Sequence, residues 1–110
     1  MHEHHAVQNL VNQAVEKAES KKVVKVCFGL GELVGFDDES IGLYFDQMKS
    51  GTLLEGATLE IKHYLPKLQC KDCSLIFEDP DRKFICPSCS STSLSLKSGK
   101  EFFLESIETE

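Results

Sequence analysis

A small α+β core with a metal-binding module set into it is the fold class this sequence predicts. Three observations carry the prediction: an apolar stripe at the helical period near the start, runs of alternating apolar residues at the strand period, and four cysteines arranged as two C-x2-C pairs. The architecture expected is two helices packed on a three-stranded sheet, with an inserted zinc-ribbon-like module. A length of 110 residues has room for one domain, or for a small domain that carries a smaller module.

The elements follow in order. Ala6, Val7, Leu10, Val11, Ala14, Val15 and Ala18 recur at offsets of three and four, which predicts a helix over 6–18 with Asn9, Asn12, Gln13, Glu16 and Lys17 off the stripe. Lys21 and Lys22 stand where a helix C-terminus favours positive charge. Val23 to Leu30 is β-branched and aromatic, with Val24, Val26, Phe28 and Leu30 on one face, and predicts a strand. Gly31 and Gly35 turn the chain. Asp37 or Asp38 then caps a second helix whose stripe is Ile41, Tyr44, Phe45 and Met48, and Gly51 marks its stop. A second strand runs through ATLEIKHY, where Ala57, Leu59 and Ile61 alternate with polar residues before Pro66 ends it. A third is expected in EFFLESIETE, with Phe102 and Leu104 on one face, Phe103 and Ile107 on the other. Residues 67–98 change character, holding all four paired cysteines, Pro80, Pro87 and a Ser/Thr-rich run, and no strand is assigned there. Because the strands bracket this stretch, it is expected as an insertion. The remaining core has fewer than about 80 residues, near the lower limit of stability without a staple.

Composition narrows the function classes. Twelve basic against 18 acidic residues give a net charge of −6 and a pI near 5.2, so no general field attracts nucleic acid or an anionic membrane. No apolar run reaches the roughly 18 residues of a membrane span. The opening MHEHHAVQNL lacks the basic stretch and apolar core of a secretion signal, so a cytoplasmic location is expected.

Five cysteines is an odd number, and reduced thiols in that compartment favour metal over disulfides. Cys70-Lys71-Asp72-Cys73 and Cys86-Pro87-Ser88-Cys89 are separated by twelve residues. Each C-x2-C places two thiolates on one metal from a tight turn, and two such turns complete a tetrahedral S4 site suited to Zn(II). Ser74 and Ser90 follow the pairs, so the haem-attachment signature C-x-x-C-H is excluded. Four protein thiolates leave no open position, and the zinc is therefore structural. Cys27 is read as a small buried residue of the first strand.

Three of four histidines fall within the first five residues: His2, His4 and His5. A polar terminus is one account of them. Beside the free amine of Met1 they offer another, because an amine, backbone amides and an imidazole wrap a divalent ion in nitrogen, a donor set that favours Cu(II) or Ni(II) over zinc. The following helix assists: its first amides lack intrahelical acceptors, and its positive end favours a deprotonated amide. Met1 is expected to remain, since the large His2 follows it; its loss would make His4 the third residue of a tight copper or nickel site. His63 is read as a surface residue.

These parts together resemble the HypA/HybF family of nickel-insertion proteins for [NiFe]-hydrogenase maturation. The resemblance is carried by the MHE opening, the Gly31-Glu32-Leu33 turn, the stretch SGTLLEGATLEI, the doubled C-x2-C and a closing strand ending IETE, in the family's order over essentially the whole chain. It implies a nickel metallochaperone rather than an enzyme, with Ni(II) held transiently by the amine of Met1, His2 and the amide of Glu3, and Zn(II) held structurally by Cys70, Cys73, Cys86 and Cys89. Residues 1–65 and 99–110 would then form the nickel-binding domain and 66–98 the zinc-binding domain. The implied partners are a GTPase accessory protein, the hydrogenase large-subunit precursor and, in some members, a urease accessory protein. Family members usually carry an apolar or small residue after MHE. Here His4 and His5 follow, and they are further candidates for the nickel set.

The competing expectation is a zinc-ribbon adaptor for protein partners with an incidental His-rich terminus. A hydrolase has no Ser-His-Asp order, paired-carboxylate signal or phosphate loop to support it. GELVG lacks the Lys-Ser/Thr that a Walker sequence requires.

Overall fold

A computed structural model describes residues 3–110, so Met1 and His2 lie outside the described residues. The element order is α1 (Glu3–Lys17), β1 (Val23–Gly31), α2 (Asp38–Lys49), β2 (Thr58–Tyr64), β3 (Lys67–Cys70), β4 (Ile76–Glu78), β5 (Leu94–Ser98) and β6 (Phe102–Thr109). They form two three-stranded sheets, ordered β2-β1-β6 and β4-β3-β5. The fold is α+β, and the chain divides into two compact units.

The first unit comprises Met1–Gly29, Gly35–Lys62 and Phe102–Glu110. Its core is the apolar stripe of α1 (Val7, Leu10, Val11, Ala14 and Ala18) with Val23, Val26 and Phe28 of β1, Ile41 and Phe45 of α2, and Leu54 and Ala57. Phe28 is central: its ring meets Phe45 edge-on at 6.0 Å and Phe102 at 5.4 Å. Fully buried side chains such as Phe28 and Phe45 each contribute about 1.5–3 kcal/mol relative to exposure. Phe36 continues the aromatic row on Phe102 at 5.4 Å. Val24 is 41% exposed, so it does not share the burial of Val26 and Phe28 that alternation predicts. On β1's other face Lys25 pairs with Glu60 of β2 at 2.9 Å and with Glu108 of β6 at 3.8 Å, as a solvated sheet face does.

Helix ends are set by local chemistry. Asp37, extended at φ −101°, is the cap of α2, and its carboxylate accepts the Ser40 N–H at 3.3 Å. The acidic Asp38 and Glu39 of the first turn suit the positive helix end. At the far end Thr52 Oγ donates to the Lys49 carbonyl at 2.7 Å, and Gly51 adopts φ +77°. The first helix begins earlier than its apolar stripe: Glu3, His4 and His5 are its first described turn.

The second unit comprises Leu30–Val34 and His63–Glu101. Here β3 pairs antiparallel with both neighbours, Leu68 opposite Phe77 of β4 and Leu96 of β5. These strands have three to five residues and little apolar alternation, which is why sequence pattern does not reveal them. The Gly31-Glu32-Leu33 turn is hydrogen-bonded into this unit: Gly31 N–H donates to the Glu101 carbonyl, Glu32 N–H to Tyr64, and Leu33 N–H to Gly99, all at 2.8–2.9 Å. A Cβ on Gly31 would run into the Gly99 carbonyl, so glycine is required there by close approach. Between β4 and β5, buried Asp79 organises a loop by accepting the N–H groups of Lys83 and Phe84 at 3.1 and 3.0 Å.

Candidate metal centres

Cys70 ends β3, and the chain turns at once. Ser74 N–H returns to the Cys70 carbonyl at 2.9 Å, Cys70 N–H reaches the Leu75 carbonyl at 2.9 Å, and Ser74 sits at φ 66°. The second pair repeats this turn. Ser90 N–H donates to the Cys86 carbonyl at 2.9 Å, Cys86 N–H to the Ser91 carbonyl at 2.9 Å, and Ser90 has φ 63°. The six-residue turn aims N–H groups at sulfur: Cys73 N–H at Cys70 Sγ and Ser88 N–H at Cys86 Sγ, both at 3.4 Å. Such bonds stabilise a thiolate over a thiol.

The two turns face each other. Cys70 Sγ lies 3.5 Å from Cys89 Sγ, Cys73 Sγ lies 3.6 Å from Cys86 Sγ, and all four sulfurs fall within 4.8 Å of one another. A tetrahedral ion with bonds of about 2.3 Å sets its sulfurs about 3.8 Å apart, so these donors fit zinc in number, type and spacing. Cys70 and Cys86 are buried, whereas Cys73 and Cys89 are exposed. The Asp72 carboxylate accepts the Ser91 hydroxyl at 2.5 Å, and Lys71 N–H donates to the Ser93 carbonyl at 2.8 Å, tying one turn to the other. These supports lie at loop positions that no spacing rule marks.

Ionisation in the bare cluster is uneven. The Cys73 N–H, working against burial, lowers the Cys70 thiol to about 6. The Ser91 N–H favours the Cys89 thiolate, yet contact with Cys70 and burial push that thiol up to about 12. Four adjacent thiolates repel one another, and a divalent cation relieves that repulsion.

The candidate nickel ligands divide. Met1 and His2 lie outside the described residues. Glu3 opens α1, and its carboxylate accepts the Asp37 N–H at 3.2 Å. The ring of His4 meets Tyr44 of α2 edge-on, centroids 5.2 Å apart at 87°, and meets His5 at 5.8 Å. His5 is exposed, as is His63 on β2. The described residues contain one group of three or more His, Cys, Asp or Glu side chains close enough to share an ion, and it is the four cysteines. Cys27, buried at 6% exposure, has its Sγ 4.0 Å from the Glu105 carboxylate and stands apart from that group.

Residues 1–109 match the family model described as hydrogenase/urease nickel incorporation, metallochaperone, hypA. The chain belongs to the HypA family. It is 42% identical to the hydrogenase maturation factor HypA of Caldanaerobacter subterraneus subsp. tengcongensis, with both chains covered in full. It is 33% identical to that of Aquifex aeolicus, covering all of this chain and 98% of the relative. The fold agrees with the solution structure of the Ni metallochaperone HypA from Helicobacter pylori, with TM-score 0.74, 29% identity, and 99% and 97% of the two chains covered. HypA proteins are nickel metallochaperones of hydrogenase maturation, and this member carries the four-cysteine cluster as a metal-binding site compatible with structural zinc. No helix among the described residues is long and apolar enough to cross a membrane.

Proposed function

We propose that this HypA captures Ni(II) at its amino terminus and delivers it to the [NiFe]-hydrogenase large-subunit precursor, while a Cys70/Cys73/Cys86/Cys89 zinc site holds the second unit in shape. The observation that carries the proposal is the match to a nickel-incorporation family along residues 1–109, which includes the MHE opening itself. The ligands are the amine of Met1, the imidazole of His2 and backbone amide nitrogen at Glu3. Two features support the amide: Glu3 lies in the first turn of α1, where amides lack intrahelical acceptors, and the Glu3 carboxylate is already engaged by Asp37.

Nitrogen donors arranged in a plane suit Ni(II), and deprotonated amides neutralise its charge beside the positive end of α1. A terminal site releases its ligands one at a time, so docking on a recipient allows stepwise exchange. A GTPase accessory protein assists this transfer in the cytoplasm, and a urease accessory protein is a second recipient route. The chaperone performs no catalytic step of its own. In the second unit Ile76, Phe84 and Ile85 are 47–56% exposed, which suits contact with protein partners and is the feature that favours an adaptor reading.

Calorimetric Ni(II) titration of zinc-loaded, tag-free protein tests the proposal, repeated with one residue added before Met1. The extension keeps every histidine and displaces the amine. Binding near one to one that collapses on extension supports the terminal chelate. Equal binding by both forms removes the amine from the mechanism, and no binding by either favours the adaptor.

A further inference from the structure

We propose that the second unit carries a preformed docking cleft for a protein partner. The space walled by Leu33, Leu68, Phe84 and Leu96 takes one branched aliphatic side chain, and Arg82 takes an adjacent acidic side chain of the same partner segment. No cysteine and no candidate nickel ligand lines the cleft, so the inference stands or falls independently of the terminal chelate.

Leu68 of β3 and Leu96 of β5 are partners across the sheet, and Pro66 lies just before β3. Leu33 is brought to them by its N–H bond to the Gly99 carbonyl at 2.9 Å. Gly99 in turn packs so closely that an added Cβ would run into Pro66. Phe84 closes the space from the loop between β4 and β5. Pro66 and Leu68 are buried, whereas Leu33, Leu96 and Phe84 are 37%, 39% and 56% exposed, so a covered apolar floor has an open apolar rim.

The rim is held in advance. Buried Asp79 accepts the N–H groups of Lys83 and Phe84 on its carboxylate, and its carbonyl accepts the Arg82 N–H at 3.1 Å. Within that brace Arg82 and Phe84 stand at φ 54° and 57°, a left-handed conformation that bulky side chains rarely adopt. The ring so positioned is more than half exposed and is not spent on the core of this unit. Backbone strain held in place around an exposed aromatic marks a contact site built before its partner arrives, and such a site loses less freedom on binding.

Size and charge define the occupant. The cleft measures about 70 Å³. A dry apolar cavity of about 150 Å³ holds a benzene ring, so this one suits an isopropyl or isobutyl group and is too small for an aromatic ring. Two ionised side chains line it, and both oxygens of Asp79 are taken by backbone N–H groups. The Arg82 guanidinium is exposed and forms no ion pair among the described residues, and the same holds for Lys83 beside it. Asp81 is exposed in the same loop but does not line the cleft. A guanidinium takes a carboxylate through paired N–H bonds, so the segment that fits is an aliphatic residue next to an acidic one.

The test follows amide shifts of the zinc-loaded full chain during titration with the peptide acetyl-Gly-Leu-Glu-Gly-amide. Saturable shifts centred on Leu33, Phe84 and Leu96 are expected, with a dissociation constant on the order of 1 mM, the scale of one side chain and one charge pair. Alanine in place of the peptide's leucine should weaken binding more than about tenfold, and phenylalanine there should weaken it about tenfold through overpacking. Glutamine in place of the peptide's glutamate should cost about fivefold, Arg82→Gln should cost the same, and both changes together should cost no more than either alone. The peptide substitutions leave the protein intact, so they decide the question whatever a variant does to the fold. Absence of shifts at those amides at about 10 mM peptide overturns the proposal. So does equal binding of the leucine peptide and its alanine or phenylalanine counterpart, or an Arg82→Gln protein within about twofold of the parent. Shifts at the same amides that follow protein concentration alone, before peptide is added, would place a second copy of the chain on the cleft and overturn it as well.

Discussion

Ser74 and Ser90 occupy equivalent places in the two cysteine turns: each follows the second cysteine of its pair, each donates its N–H to the first cysteine's carbonyl at 2.9 Å, and each is left-handed, at φ 66° and 63°. A Cβ is disfavoured there by about 1 kcal/mol, and glycine is not. Ser74→Gly and Ser90→Gly should each leave stability unchanged or raise it by up to about 1 kcal/mol, since glycine's greater unfolded-state freedom offsets part of the gain. The turn hydrogen bonds use the backbone N–H of each serine and not its hydroxyl, so zinc content should stay constant. Thermal melts of the zinc-loaded variants would show the effect, and a clear loss of stability would mean that one hydroxyl matters.

Zinc removal should act on one unit. The β4-β3-β5 sheet has strands of three to five residues around Leu68, too little apolar burial to order a chain without its metal. A strong chelator should collapse the amide signals of residues 63–101 while those of α1 and α2 persist. Elemental analysis should find one zinc per chain, lost in Cys73→Ser and retained in Cys27→Ala. Dispersed signals from both units after complete demetallation would contradict this account.

Burial, reinforced by Glu105 and Glu60, pushes the Cys27 thiol above its ordinary 9.0. Between that value and the raised one, the folded chain holds a proton that the unfolded chain has released. Stability from this group is therefore complete below the unfolded value and declines as pH rises through the window. Denaturant midpoints taken at about pH 8 and about pH 10 should fall further for the parent than for Cys27→Ala. Alkylation of Cys27 in the folded protein should be slow, because the reactive thiolate is scarce and the sulfur is covered.

The same substitution should act in opposite directions at two glycines. Gly31→Ala forces a methyl against the Gly99 carbonyl and should destabilise by about 1–3 kcal/mol. Gly42 lies within α2 with nothing within 4 Å of an added Cβ, and Gly42→Ala should stabilise by roughly 0.5–1 kcal/mol. Urea denaturation of the two variants beside the parent measures both signs.

Much of this molecule is legible as pattern. The α1 stripe, the β1 run and the Asp37 cap rest on interactions within a few residues, so periodicity and capping rules apply to them directly. The C-x2-C pairs are legible for the same reason: two ligands on one turn require that spacing wherever the turn is placed. Other features have no local signature. The strands β3, β4 and β5 are too short for a period, and the Leu30–Val34 turn joins the cysteine-bearing unit through backbone bonds to Tyr64, Gly99 and Glu101, more than 30 positions along the chain. Gly31 reads as a turn former, yet its requirement comes from the carbonyl of a distant glycine.

The amino terminus draws the same line. Residue types near Met1 determine which donors are available, and they point to nitrogen chemistry before any fold is known. Only the tertiary structure decides that the Glu3 carboxylate is engaged by Asp37 and that the His4 ring rests on Tyr44. Asp37 caps α2 and Tyr44 lies within it, and both are brought to the first turn of α1 by the burial of Val7, Leu10, Ile41 and Phe45 in one core. Donor identity is a property of single residues. Whether a donor is free to bind depends on neighbours that packing supplies.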